Sequence, residues 1–208
     1  VRLSILSLFR QRSDPDKKAL ETAPHTVSSF DTDLKALAGI ILDIGPRALR
    51  SVERATQALN KADVPTAQQV VADDRAIDDL QHALEERAIE IIARRQPVAS
   101  DLREIIASIR IASDLERIGD LSKNIAKRTI AILEDGAPIF AAAGLGKLSD
   151  RVCVQVDSVL ASYRDRDDKR AMQVWRSDHE IDALHTSLFR ELLTYMMEDP
   201  RNIGSCTH

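Results

Sequence analysis

"AQQVVADDRAIDDLQHAL", residues Ala67 to Leu84, and "AMQVWRSDHEIDALHTSL", residues Ala171 to Leu188, align without a gap. The two segments are identical at Ala, Gln, Val, Asp, Ile, Asp, Leu and Leu. The same offset sets Val52 on Val156 and Leu59 on Tyr163, so apolar positions stay in register upstream. Self-similarity at one fixed offset marks a duplicated structural unit. Within each copy the apolar residues recur at helical spacing, so the repeated unit is helical.

Upstream of the first copy, "FDTDLKALAGIILDIGPRALRSVERATQAL", Phe30 to Leu59, is apolar at the same spacing. Its Gly45-Pro46 pair is expected to kink or break the helix, because proline lacks the N–H and clashes with the preceding turn. Asp63, a cap, and Pro65, in the first turn, mark the start of the next helix, which runs to Pro97. Ser100-Asp101 then caps a third helix whose apolar stripe includes Leu102, Ile105, Ile109 and Ile118. Three long helices joined by short turns make an up-down-up bundle. "EDGAPIFAAAGLG", Glu134 to Gly146, loosens the pattern, and helices are expected to resume near Leu148.

The repeat offset carries Ser100 to about residue 204 and Glu116 beyond His208. The expectation is therefore an all-α chain of two pseudo-repeated three-helix bundles, the second lacking its last helix in this chain. "DPRNIGSCTH", Asp199 to His208, reads as the turn and first residues of that helix. Residues 1–24 read as a polar leader, 25–135 as the first repeat and 136–208 as the second. Without a covering helix, the stripe of Val156, Val159, Trp175, Ile181, Leu184 and Leu188 is expected to drive dimerisation, helix exchange or binding of a hydrophobic probe.

Composition narrows the function. At 44% hydrophobic and 30% charged, the 208 residues sustain a core, and 3% aromatic content fits helices better than strands. A net charge of −4 argues against nucleic-acid binding. No run approaches the roughly 18 apolar residues that cross a bilayer. "VRLSILSLF" is too short an apolar stretch for a signal peptide, and no small-residue cleavage site follows it. Cys153 and Cys206 form neither a CxxC nor a disulfide framework, which fits a reducing cytoplasm. No catalytic triad, Gly-rich phosphate loop or dinucleotide fingerprint is visible, so an enzyme is not expected.

The acids are the candidate site. "SDLERIGDLSKN", Ser113 to Asn124, sets Glu116 and Asp120 one helical turn apart, and the repeats do the same with Asp74 and Asp78 and with Asp178 and Asp182. Such i,i+4 carboxylates stand about 6 Å apart and repel. Asp74 lies between Val70 and Ile77 on an apolar line, and Glu116 follows Ile109 and Ala112. Carboxylates at the margin of an interior need a proton, an arginine or a metal ion. Gly119 removes a side chain beside them and lets the facing helix or a ligand approach closely. Asp74, Asp78, Glu116 and Asp120 can then converge on one hard or borderline cation, with Asn124 one turn further on.

The plain alternative is a solvated face, with Arg75 and Arg117 pairing these acids. Recurrence in register in both repeats weighs against it. Asp79 with His82 and Asp182 with His185 have the carboxylate-x-x-His spacing of di-iron bundles, which makes a di-iron oxidase or metal-storage bundle the alternative function. The two histidines fall one residue out of repeat register and read as surface or margin residues. Trp175 and Tyr195 read as packing residues, and Cys153 as a small buried hydrophobe.

"IIARRQPVASDLREIIASIRIASDLERIGDLSKNIAKR", Ile91 to Arg128, and "LLTYMMEDPRNI", Leu192 to Ile203, closely resemble the PhoU family of regulators associated with bacterial phosphate uptake. The RQP-x-x-SDLR turn, the LERIGD helix and the YMMEDP turn occur together and in order. The likeness spans about Thr26 to His208. It implies two three-helix bundles related by a pseudo-two-fold. It also implies multinuclear iron or zinc clusters on E/D-x-x-x-D motifs, here Asp74/Asp78, Glu116/Asp120 and Asp178/Asp182. A second ERIGD is absent from the chain. The implied role is a cytoplasmic, homodimeric adaptor that contacts the phosphate ABC transporter ATPase and a sensor histidine kinase, and so represses the phosphate-starvation response.

Overall fold

The computed structural model describes residues 24–140 and 142–207. All regular elements among them are helical: α1 Pro24–Lys61, α2 Val64–Asp73, α3 Arg75–Arg95, α4 Ala99–Glu134, α5 Ala142–Asp165, α6 Asp168–Glu198, a 3₁₀ turn at Pro200–Asn202 and α7 Ile203–Thr207. The leader expected over residues 1–24 lies outside the described residues except at its last position.

The duplication is written into two turns. Ala62, after α1, and Arg166, after α5, are repeat equivalents, and both take left-handed backbone, with φ of 53° and 54°. Around them the bonds repeat: Asp63 N–H to Ala58 O at 2.9 Å matches Asp167 N–H to Ser162 O at 2.9 Å. Ala62 N–H to Leu59 O at 3.3 Å likewise matches Arg166 N–H to Tyr163 O at 3.3 Å. A left-handed residue after a helix lets the chain satisfy the last carbonyls. The next residue, Asp63 or Asp167, caps the following helix by accepting from Thr66 N or Arg170 N.

One apolar core joins the two halves. Leu37, Ile41, Ile44 and Ala48 of α1 pack with Ile77, Leu84 and Ile91 of α3, Ile105, Ile111 and Leu115 of α4, Val159 and Leu160 of α5, and Val174 of α6. α1 lies centrally, against α2, α3, α4 and α5. At its crossing with α5, a Cβ on Gly45 would come within 2.5 Å of Leu160 Cδ1. Nearby, Thr56 Oγ1 donates to Ser149 Oγ at 3.0 Å. The repeat offset sets Gly45 on Ser149 and Thr56 on Leu160, so these are one contact met twice. Such reciprocity is the geometric signature of a two-fold relation.

Several local expectations are corrected. Pro46 does not break α1. It is exposed, while Leu37, Ile41 and Ile44 on the opposite face are fully buried. Burying three such side chains, at roughly 1.5–3 kcal/mol each, outweighs the roughly 3 kcal/mol cost of an interior proline. The second helix of the first bundle is instead interrupted at Asp74, where Ile77 N–H to Asp74 O, at 2.8 Å, tightens one turn. α4 starts at Ala99 with Val98 as its cap residue and no side-chain capping bond, so Ser100-Asp101 sits inside the first turn. Helical structure resumes at Ala142, earlier than Leu148.

In the second half Cys153 is buried as expected, whereas Val159 and Leu188, expected on an uncovered stripe, are buried too, and of that stripe Leu184 and Trp175 stay exposed. Trp175 is not a core residue, being 54% exposed, and Phe189 and Met197 on the same helix are 53% and 84% exposed. Tyr195 packs on Phe140, ring centroids 4.9 Å apart. The turn at Asp199 and the helix Ile203–Thr207 follow the expected pattern.

Candidate functional site

The site forms where the α2–α3 junction meets the middle of α4. A Cβ on Gly119 would lie 2.9 Å from Ile77 Cδ1 and 3.3 Å from Asp74 Oδ1. The missing side chain is therefore what admits Ile77 and Asp74 to the α4 surface. Asp74 is 3% exposed, which is rare for a carboxylate without a partner.

Its partner is a lysine that sequence reasoning missed. Lys123, one turn beyond Gly119 on α4, donates from Nζ to Asp74 Oδ2 and to Asp120 Oδ1, the latter at 2.5 Å. The other oxygen, Asp74 Oδ1, is buried without a hydrogen-bond partner. Hydrogen bonds to Asp120 and then Asp74 hold the Lys123 ammonium well above its ordinary range. The Lys123 bond in turn holds the Asp120 carboxyl below its usual range.

Glu116 and Asp78 shift the other way. Burial first, then the charges of Asp120 and Asp78, push the Glu116 carboxyl up. Burial and the charge of Asp74 push Asp78 up, against an opposing pull from Lys123. Asp74, Asp78, Glu116 and Asp120 thus form one electrostatic group where the α2–α3 junction and α3 meet α4.

The remaining candidates do not join it. Asn124 is exposed, as are Arg75 and Arg117. Asp178 and Asp182 are exposed on α6, with Asp178 Oδ1 accepting from Gln155 Nε2 at 3.1 Å. His82 is exposed and its Nδ1 bonds the Asp78 backbone carbonyl at 2.9 Å, while Asp79 and His185 face solvent. Spacing alone carried a signal for Lys123: it is three residues after Asp120 and seven after Glu116, on their face of the helix.

Among the described residues no three His, Cys, Asp or Glu side chains surround a point where a metal ion could sit. The place between Asp74 and Asp120 is filled by an ammonium. As arranged, these residues do not fit an iron or zinc cluster.

The sequence profile of the PhoU domain matches residues 41–129 and 145–205, one segment in each half of the duplicated fold. The chain belongs to the PhoU family. A relative described as "Phosphate-specific transport system accessory protein PhoU homolog" from Rhizobium meliloti (strain 1021) is 51% identical over 184 residues, covering 88% of this chain and 78% of the relative. The PhoU relative of the same description from Caulobacter vibrioides (strain NA1000 / CB15N) is 40% identical, covering 88% of this chain and 80% of its own length. The crystal structure of PhoU from Pseudomonas aeruginosa superposes with a TM-score of 0.81 at 35% identity, covering 86% of this chain and 85% of that one. That of the phosphate transport system regulatory protein PhoU from Streptococcus pneumoniae gives 0.76 at 28% identity, with coverages of 86% and 83%. The PhoU fold of two related helical bundles is thus this chain's fold. No helix among its described residues is long and apolar enough to cross a membrane.

Proposed function

We propose that this chain is a cytoplasmic regulator of phosphate uptake that represses the phosphate-starvation response when phosphate is plentiful. The observation that carries this is the 51% identity to a phosphate-specific transport system accessory protein over nearly nine-tenths of the chain. Regulation rather than catalysis fits the residues: the carboxylates at the bundle junction are occupied by Lys123, and the motifs of nucleotide or phosphoryl chemistry are missing from the sequence.

The mechanism is that of an adaptor. A rigid helical surface binds the phosphate ABC transporter ATPase and the sensor histidine kinase, and occupancy by one biases the state of the other through differential affinity. α6, which exposes Trp175, Phe189 and Met197, is the proposed contact and self-association face, and a homodimer is part of the proposal. Iron and zinc are kept out of this mechanism, because an ammonium stands where such an ion needs to bind. The di-iron oxidase alternative receives no support from His82 or His185, both exposed.

Binding tests the adaptor directly. The purified chain is expected to co-elute with the transporter ATPase and, separately, with the kinase cytoplasmic region. Replacing Trp175 and Phe189 with serine should weaken at least one of these complexes. Failure of the folded chain to bind either protein would overturn the adaptor reading.

A further inference from the structure

We propose that Lys123 is the resident cation of the first-bundle acid site, and that a divalent metal binds these carboxylates only when its ammonium is removed. Three observations meet at one place. Nζ bridges Asp74 Oδ2, from the α2–α3 junction, and Asp120 Oδ1, from α4, so it links the elements an ion would have to link. The Asp74 side chain is 5% exposed, with Oδ1 lacking any partner, so the inner end of the bridge is a buried carboxylate that needs a positive charge, while Asp120, 45% exposed, closes the outer end. Glu116 and Asp78 stand within the same electrostatic group without making the bridge themselves.

An ammonium carries one charge and three donors on a tethered chain, and its tether gives it a high effective concentration at the site. A divalent ion arriving there meets a like charge at contact distance and finds one oxygen each of Asp74 and Asp120 already engaged. The lysine thereby does what the spacing assigned to a metal: it offsets carboxylate repulsion and pins α4 to the junction.

Zinc binding by equilibrium dialysis with elemental analysis tests this on the whole chain. The unaltered chain and Glu116→Gln, a near-isosteric change at a partly exposed side chain, should bind zinc equally weakly. Lys123→Met should gain one equivalent at least about 100-fold tighter, the order expected when a like charge leaves a site of effective dielectric near 20. Glu116→Gln in the Lys123→Met background should weaken that gain about tenfold or more. The proposal is overturned if Glu116→Gln alone lowers zinc affinity by that factor, or if Lys123→Met keeps native helicity and a cooperative melt yet gains no zinc. Should Lys123→Met fail to fold, the comparison of the unaltered chain with Glu116→Gln decides: equal binding supports the proposal and weaker binding overturns it.

Discussion

Lys123 on α4 donates to Asp74 at the α2–α3 junction, so one ammonium ties the second helix of the first bundle to its third. Removing the lysine leaves a buried carboxylate uncompensated, and breaking such a pair from one side costs about 3 kcal/mol. Lys123→Met should lower the urea midpoint accordingly. The double variant Asp74→Ala/Lys123→Met, which strands no charge, should recover more than half of the loss.

The acids around this bridge titrate in opposite senses. Glu116 is pushed up, mainly by burial, so the folded chain binds its proton more readily than the unfolded chain does. Its contribution to stability therefore falls as pH rises through the upper carboxylate range, and it is unfavourable at neutral pH. Asp120, pulled down by Lys123, contributes stability at neutral pH that is lost as pH falls through its lowered range. Glu116→Gln should raise the melting temperature at pH 7 and leave it unchanged at pH 4. Asp120→Asn should lower it at pH 7.

Two glycines in long helices should respond with opposite signs. Nothing lies within 4 Å of a Cβ on Gly39, so Gly39→Ala gains helix propensity alone and should stabilise by about 0.5–1 kcal/mol. At Gly119 the new Cβ meets buried Ile77 at 2.9 Å, and overpacking exceeds the propensity gain. Gly119→Ala should destabilise by about 1 kcal/mol in chemical denaturation.

Gly45 tests the crossing of α1 and α5. Its Cβ would stand 2.5 Å and 2.6 Å from the two methyls of Leu160 and 3.1 Å from Cγ, so the branch point itself is in the way. Gly45→Ala should cost about 2 kcal/mol. Because the clash is with one side chain, a double-mutant cycle with Leu160→Ala should show favourable coupling of about 1 kcal/mol or more.

The parts of the fold legible in sequence are those decided locally. Asp63 and Asp167 announce caps, Pro97 stops a helix after left-handed Gln96, and the repeat places the two halves in register. The four first-bundle acids were also legible, because i,i+4 spacing fixes which residues share a helix face. Lys123 was not. A lysine three residues after an aspartate reads as an ordinary surface pair, and only the close approach at Gly119 brings Asp74 to it from another helix. Pro46 misled for the same reason: its local cost is real, but burial of Ile41 and Ile44 decides the outcome. Trp175 read both as a packing residue and as part of an uncovered stripe, and its 54% exposure fits the second reading, because what it faces is set by helix packing and not by α6 itself.

The central claim is that the chain represses the phosphate-starvation response. Its most direct test is a starvation-promoter reporter in a Rhizobium meliloti strain lacking its own relative, grown in phosphate-rich medium with this chain expressed. The account predicts that reporter activity returns to the low level of the unmodified strain. A reporter that stays fully on, while the chain is present and folded, would contradict it.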